Sequence, residues 1–341
     1  MPRFLPHPAQ RMITVLSKSG NRVEVQTLEA KTYDWSDVLW IDLHDPTPDE
    51  TKMIESALGV ELPTRKEAQE IEVSSRLYTE NRTLFMTATI MVRADKPDLT
   101  TAAVTFIYRK QQLITLRFDS PMPFRTFAQR LERSRDAYPT AQKLLLGLFD
   151  EIVDRIADIL EFVATDLNDL SATIFMEEPA EIGTVNYTSL LSRIGRNGAR
   201  TANARESLVS LQRLHGFFIE MCSSQQGEEL EESWRIAGKD VAALADHATF
   251  ISGKVSFFLD ATLGRVNSEQ NTINSQQNKI IKLFSVLAVV LLPPTLIASI
   301  YGMNFQVIPE LKWKFGYPFS LALMVVSAVV PYLIFRYKRW L

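Results

Sequence analysis

Asn267, Asn271, Asn274 and Asn278 step along the chain by four, three and four residues, which places all four on one face of a helix. Asparagine carries a neutral carbonyl oxygen, the kind of ligand that can hold the water shell of a hard cation without trapping the ion. Continuing the same step gives Ile281, Ser285, Ala288, Leu292, Thr295 and Ser299, then Gly302. One helical face therefore passes from asparagine to small and hydroxyl-bearing residues, while Leu283, Val286, Val290, Leu291 and Ile297 make up the opposite face. Small residues alone would fit tight helix packing. Four aligned asparagines weaken a dry seam, so the combined stripe reads as the wall of a wet pore. A hairpin of two helices cannot enclose such a pore, which requires a ring of identical chains.

The helix carrying the stripe becomes a membrane span. Residues 283–301 contain no charge, and 19 residues at ~1.5 Å each reach about one hydrocarbon thickness. A second uncharged run covers 315–335. Lys279, Lys282, Arg336, Lys338 and Arg339 lie on one side of the pair and only Lys312 and Lys314 between them, which predicts both termini in the cytoplasm. Pro293 and Pro294 free carbonyls at mid-span, which a neighbouring helix or a wet pore must satisfy. Upstream, residues 180–292 hold no proline and read as helix, with breaks expected near Gly195 and Gly198 and at 223–227. A continuous stalk and pore helix is predicted over 228–301.

In the loop 302–314, Gly302 can end the helix and Asn304 offers a carbonyl at the outer mouth. Glu310 would form a ring of carboxylates in an oligomer, and such rings attract cations.

The chain carries 37 basic and 40 acidic residues; seven and one of them lie from residue 279 on, leaving 30 basic and 39 acidic upstream. An acidic body does not suit nucleic acid. One cysteine, Cys222, forbids an internal disulfide, and His7, His44, His215 and His247 lie far apart, without metal-ligand spacing. No glycine-rich phosphate loop, nucleophile elbow or histidine-centred constellation marks an enzyme. The N-terminus lacks the apolar core of a signal peptide; its first 23 residues are basic and acid-free, but Pro2, Pro6 and Pro8 oppose an amphipathic presequence helix.

Strands are expected at 22–27, 38–43, 83–92, 103–108 and 112–118. Thr47, Pro48 and Glu50 form a capping box that starts a helix. A cytoplasmic α/β domain over 1–130 and a helical region over 131–227 follow. Within the latter, the apolar period of 141–175 (Leu144, Leu148, Ile152, Ile156, Leu160, Val163, Leu167) should pack on the long helix. Acids at 177–181 and 228–232 read as a solvated surface.

The YGMNF segment at 301–305, followed by PELKW at 309–313 and RYKRWL at 336–341, resembles the CorA magnesium transporters, as do WIDLHDPTPDE at 40–50 and LPPT at 292–295. The resemblance spans essentially the whole chain. It implies a funnel-shaped homopentamer in the inner or plasma membrane, carrying Mg²⁺ with Co²⁺ and Ni²⁺ as secondary ions. Gly302, Met303 and Asn304 would form the entrance, Asn304 binding the hydrated ion. Thr295, Leu292, Ile281 and Asn278 would line the pore, with Ile281, Leu292 and Phe284 as a hydrophobic gate. Such proteins also close on cytoplasmic Mg²⁺; the aligned position here is Ala243, with Asp240 and Asp246 one turn to either side, so these two become the regulatory candidates. Gln306 replaces an acid often found after YGMNF. A zinc transporter of the same superfamily, against which Met303 argues, and a membrane scaffold or sensor are the competing readings. The last six residues, 336–341, form a basic cytoplasmic tail.

Overall fold

The computed structural model describes residues 12–17, 22–25, 35–70, 72–94, 99–175, 186–222, 227–304 and 309–338. They form two compact units, Met1–Thr262 and Leu263–Leu341.

The first unit is built on a seven-stranded sheet ordered β2-β1-β3-β7-β6-β5-β4. The strands are β1 (Met12–Ser17), β2 (Arg22–Val25), β3 (Val38–His44), β4 (Leu77–Glu80), β5 (Thr83–Val92), β6 (Thr100–Arg109) and β7 (Gln112–Arg117). Five were expected near these positions. β1 and β4 were not: MITVLS offers only a short apolar run, and LYTE is four residues of edge strand. All neighbours pair antiparallel except β3 and β7, which run parallel with Trp40 opposite Leu113 and His44 opposite Arg117.

Side-chain alternation along the strands feeds two cores. Leu84, Met86, Ala88 and Ile90 of β5, with Val104 and Phe106 of β6, face a large helical layer. Phe85, Ile107, Ile114 and Leu116 point the other way and meet Ile54 of α1 (Pro48–Leu58). Every residue of β5 is buried, as expected of a strand covered on both faces. The expected capping box opens α1: Thr47 Oγ1 accepts from the Glu50 amide at 3.2 Å, and the Glu50 carboxylate accepts from the Thr47 amide. Gly59 closes the helix at φ +63°, the left-handed conformation that suits glycine. Two short turns of helix follow, α2 (Arg65–Ala68) and α3 (Val73–Arg76).

The parallel seam carries a buried polar network. Arg117 donates to Asp42 through Nε and Nη2, the latter at 2.8 Å; Thr115 Oγ1 donates to Asp42 at 2.7 Å, and Trp40 Nε1 donates to Thr115 at 3.0 Å. The Arg117 guanidinium also lies 4.9 Å from the Phe124 ring centre. Both charged residues are 6% exposed, so each ion is compensated within the protein rather than by water.

The helical layer consists of α4 (Met122–Arg133), α5 (Ala141–Ile174), α6 (Tyr187–Cys222) and the first part of α7 (Glu228–Tyr301). All seven apolar residues that define the period of α5 are buried. They pack against the sheet, α4 and α6 as well as α7, so the expected contact with the long helix is one of several. The expected break at Gly195 and Gly198 does not occur; α6 runs straight through. Gly198 instead permits close approach of α7, since a Cβ there would meet Val255 Cγ1 at 3.3 Å. Gly238 of α7 does the same for α6: a Cβ would fall 2.3 Å from the His215 ring, which hydrogen-bonds the Trp234 carbonyl at 2.7 Å. A break between α6 and α7 is present, with 223–226 outside the described residues. The acids at 177–181, Gln306 and the last three residues of the tail also lie outside them. Glu228, Glu229 and Glu231 occupy the first turn of α7, where negative charge opposes the helix dipole.

The second unit holds the remainder of α7, a 3₁₀ turn (Pro309–Lys312) and α8 (Gly316–Tyr337). Both helices are long and apolar enough to cross a membrane.

The seam yields a graded stability expectation. Asp42→Ala strands a buried guanidinium and should cost about 3–5 kcal/mol, whereas Thr47→Ala removes only a cap, about 1 kcal/mol. Thermal unfolding of the purified variants should show a much larger fall in Tm for Asp42→Ala; similar falls would mean that the pair does not hold the seam.

Candidate functional site

In the second unit, α7 is sided. Asn267, Asn271, Asn274, Asn278, Ile281, Ser285, Ala288, Leu292, Thr295 and Ser299 are all exposed. Val286, Val290, Pro293, Ile297 and Tyr301 are half-buried, and at 100° per residue they lie on the opposite side of the helix. On α8, Gly316 and Ser320 are buried and Met324, Ser327, Pro331 and Phe335 half-buried, again along one face. From Val286 on, each helix of the hairpin thus shades one face of the other, and Ser285, Ala288, Leu292, Thr295 and Ser299 are on the face of α7 left open, whereas 274–285 are exposed all round. Ile281, Phe284 and Leu292, within or beside the stripe, are 62%, 64% and 65% exposed, no more than Leu283 (65%) and Leu296 (63%) off it.

The chemistry of the stripe is that of neutral oxygen. Thr295 donates its hydroxyl proton to the Leu291 carbonyl at 2.7 Å, so only oxygen lone pairs remain to face outward. Asn274 Oδ1 accepts from Gln270 at 3.1 Å. The helix continues through Pro293 and Pro294, which supply no N–H to the carbonyls of Val289 and Val290 four residues back. No position of the stripe from 267 to 299 is ionisable.

Beyond α7 the Gly302 amide donates to Ala298 at 2.9 Å and the Met303 amide to Ile300 at 3.3 Å, which winds the helix down. A Cβ on Gly302 would sit 3.1 Å from the Ala298 carbonyl oxygen, tighter than ordinary contact. Gly302, Met303 and Asn304 are exposed; Glu310 is half-buried in the 3₁₀ turn. That turn is clamped to the start of α8: a Cβ on Gly316 would lie 2.4 Å from the Glu310 carbonyl oxygen, and the Trp313 indole packs 5.5 Å from the Phe319 ring.

The two regulatory candidates separate in the first unit. Asp240 lines a groove of about 660 Å³ between α4, α5 and α7, together with Asp150, Asp154, Arg130 and Ala243. Asp246 is exposed and does not line it. Burial, then the nearby Asp154 and Asp240 carboxylates, push the Asp150 carboxyl up to about 6, against the pull of Arg130. Burial and Glu151 push Asp154 up as well. Asp150 and Asp154 were missed as companions of Asp240. The available signal was their i, i+4 spacing at the edge of the apolar stripe of α5, a spacing that solvated helix surfaces share.

The family model for the CorA-like Mg2+ transporter protein matches residues 35–339. The magnesium transport protein CorA of Salmonella typhimurium is 34% identical over 330 residues, covering 97% of this chain and all of that protein. The Escherichia coli K12 protein of the same description is 33% identical over the same length. Among solved structures, the complete CorA magnesium transporter of Methanocaldococcus jannaschii superposes with a TM-score of 0.65 at 17% identity, covering 98% of this chain and all of that one. The ZntB cytoplasmic domain of Vibrio parahaemolyticus gives 0.53 at 12% identity over 76% of this chain and 99% of that one. These two likenesses are of fold: a soluble α/β domain in both, and two C-terminal apolar helices in the former.

The raised Asp150 makes a pH-dependent expectation. A folded state that holds this proton more tightly than the unfolded chain is penalised as pH rises through about 6, and carries no such penalty below the ordinary value of 3.8. Asp150→Asn should therefore raise Tm at pH 7.5 and lose that gain at pH 4. A gain of equal size at both would point to packing instead of charge.

Proposed function

The chain belongs to the CorA-like Mg2+ transporter family, and on that premise we propose that it is a homopentameric channel admitting Mg²⁺ to the cytoplasm, with Co²⁺ and Ni²⁺ as secondary ions. The observation that carries this reading is the open stripe of α7. Across the span, Ser285, Ala288, Thr295 and Ser299 lie opposite the half-buried face, where a single chain offers them no partner helix. In a bilayer such a face must be covered or wet. A ring of chains, each turning this face inward, does both.

In the proposed channel Asn304, held at the end of α7 by Gly302 and Met303, meets the hydrated ion at the outer mouth. The Glu310 ring draws cations toward it. Mg²⁺ gives up its water slowly, so neutral carbonyl and hydroxyl oxygens select it through the hydration shell and let it move on. Ser299, Thr295, Ala288 and Ser285 leave room for that shell. Leu292, Ile281 and Phe284 form the apolar constriction, which closes by expelling water. Asn278 and the asparagines below it receive the ion on the cytoplasmic side. Both termini are cytoplasmic and the membrane is the inner or plasma membrane. An inside-negative potential contributes ~2.3 kcal/mol per charge per 100 mV, twice that for a divalent ion, and drives entry. Asp240 and Asp246, which do not share a groove within one chain, would ligate cytoplasmic Mg²⁺ that closes the pore from facing chains of the ring.

The test is Mg²⁺ influx into proteoliposomes loaded with a magnesium dye, under an inside-negative potential. Loss of a hydrogen bond to a charged species is worth about 1.5–3 kcal/mol, so Asn304→Ala should slow influx about tenfold or more. Leu283→Val, off the stripe, should leave it near wild type. Equal flux through the Asn304 variant would remove the entrance from the proposal. Entry of Zn²⁺ under a proton gradient, with none of Mg²⁺, would replace the cargo.

A further inference from the structure

Apart from the acidic groove, the first unit contains a second one of about 560 Å³, walled by α3, β5, α6 and α7. Its charge is opposite to that of the domain around it. Arg76, Arg205 and Arg213 line it against a single acid, Glu206, in a chain whose first 278 residues carry nine more acids than bases. None of the three arginines pairs with a carboxylate among the described residues. Arg76 donates to Thr89 Oγ1 at 2.8 Å and to the Glu70 carbonyl, and Arg205 donates to Thr249 Oγ1 at 3.1 Å. Neutral oxygens orient these guanidiniums without cancelling their charge. Two hydroxyls join them. Ser210 Oγ accepts the Thr89 amide at 2.9 Å, which leaves its own proton to donate inward, and Ser252 lies on the α7 wall. A smaller pocket of about 160 Å³ adjoins the groove, sharing Arg76, Thr89 and Glu206 and adding Arg65 and a second acid, Asp119.

We propose that this groove binds a phosphate-bearing small anion, of which a nucleoside polyphosphate best matches its size and charge. Guanidinium forks match phosphate oxygens in pairs. The volume falls in the range of about 300–1,000 Å³ typical of small-molecule sites and exceeds what one phosphate requires. Glu206 suits a ribose hydroxyl or a nucleotide-bound cation better than a phosphate oxygen. The donors come from α3, α6 and α7, so an occupant would tie the packed portion of α7 to the α/β layer. This assignment is independent of the ion that the chain carries.

Calorimetric titration of the purified full-length protein with ATP, with and without Mg²⁺, and separately with inorganic phosphate, tests it. Saturable ATP binding is expected, weakened about tenfold or more in Arg213→Ala, which loses a charge-assisted hydrogen bond. Arg205 and Arg213 are exposed, so the variants should melt with wild type, and an unchanged Tm separates lost binding from lost fold. Arg213→Lys should recover part of the affinity, since charge remains and the fork does not. Equal affinity for inorganic phosphate would place the site in the same chemical class with one phosphate as its occupant. No saturable binding of either probe, or binding untouched in the Arg205→Ala/Arg213→Ala double variant, overturns the proposal. So does a charge-reversed Arg205→Glu/Arg213→Glu protein that changes oligomer mass while ATP still fails to bind wild type, because the groove would then serve a second copy of the chain.

Discussion

In an unbroken helix the direction of every side chain is set by its residue number, and α7 runs for 74 residues without interruption. That constraint governs the second unit. Val286, Val290, Pro293 and Ile297 cannot meet α8 unless Ser285, Ala288, Leu292, Thr295 and Ser299 turn away from it. The stripe also repeats every seven residues, as 267, 274, 281, 288 and 295 and again as 271, 278, 285, 292 and 299. A straight helix drifts ~20° per heptad from such a repeat, so copies that keep these faces together coil left-handed around one another. The first part of α7 obeys the same rule on its packed side: Trp234, Val241 and Ala248 stand seven apart and are all buried. Ile236, Phe250 and Phe257 also keep multiples of seven, yet remain exposed.

The first unit solves a different problem. Its sheet joins three N-terminal strands to four later ones through one parallel seam, closed by the Asp42–Arg117 pair and its Thr115 and Trp40 partners. A parallel contact needs a long crossover, here the stretch between β3 and β7 that contributes α1, α2, α3 and three strands. The helical layer then covers the face opposite α1. Glycines set the spacing within that layer, Gly198 against Val255 and Gly238 against His215.

Much of this was legible in the residues. Charge-free runs and capping signals are local, so the apolar helices, the start of α7 and the capping box at Thr47 could be read directly. The open side of α7 from Val286 on was legible because helical phase is fixed, although Leu283 and Leu291, expected on the opposite face, are 65% and 54% exposed. Gly195 and Gly198 misled because glycine weakens an isolated helix by about 1 kcal/mol, whereas here α6 is supported along its length and Gly198 admits a neighbour. β1 and β4 were missed because short strands owe their existence to partners elsewhere: Met12–Ser17 to β3, Leu77–Glu80 to β5. The grooves were invisible for the same reason. Asp150 and Asp240, or Arg76 and Arg213, are brought together only by packing of elements far apart in sequence.

The tandem prolines of α7 have a mechanical consequence. Two adjacent i→i−4 rungs of the hydrogen-bond ladder are absent, at the carbonyls of Val289 and Val290. A rod with two consecutive rungs missing is stiff along its length and compliant at one point. Any bending load on the helix concentrates there, between Ala288 and Thr295. A small angular displacement at that point swings Ser299 and Gly302 through an arc while leaving the asparagines below it in place.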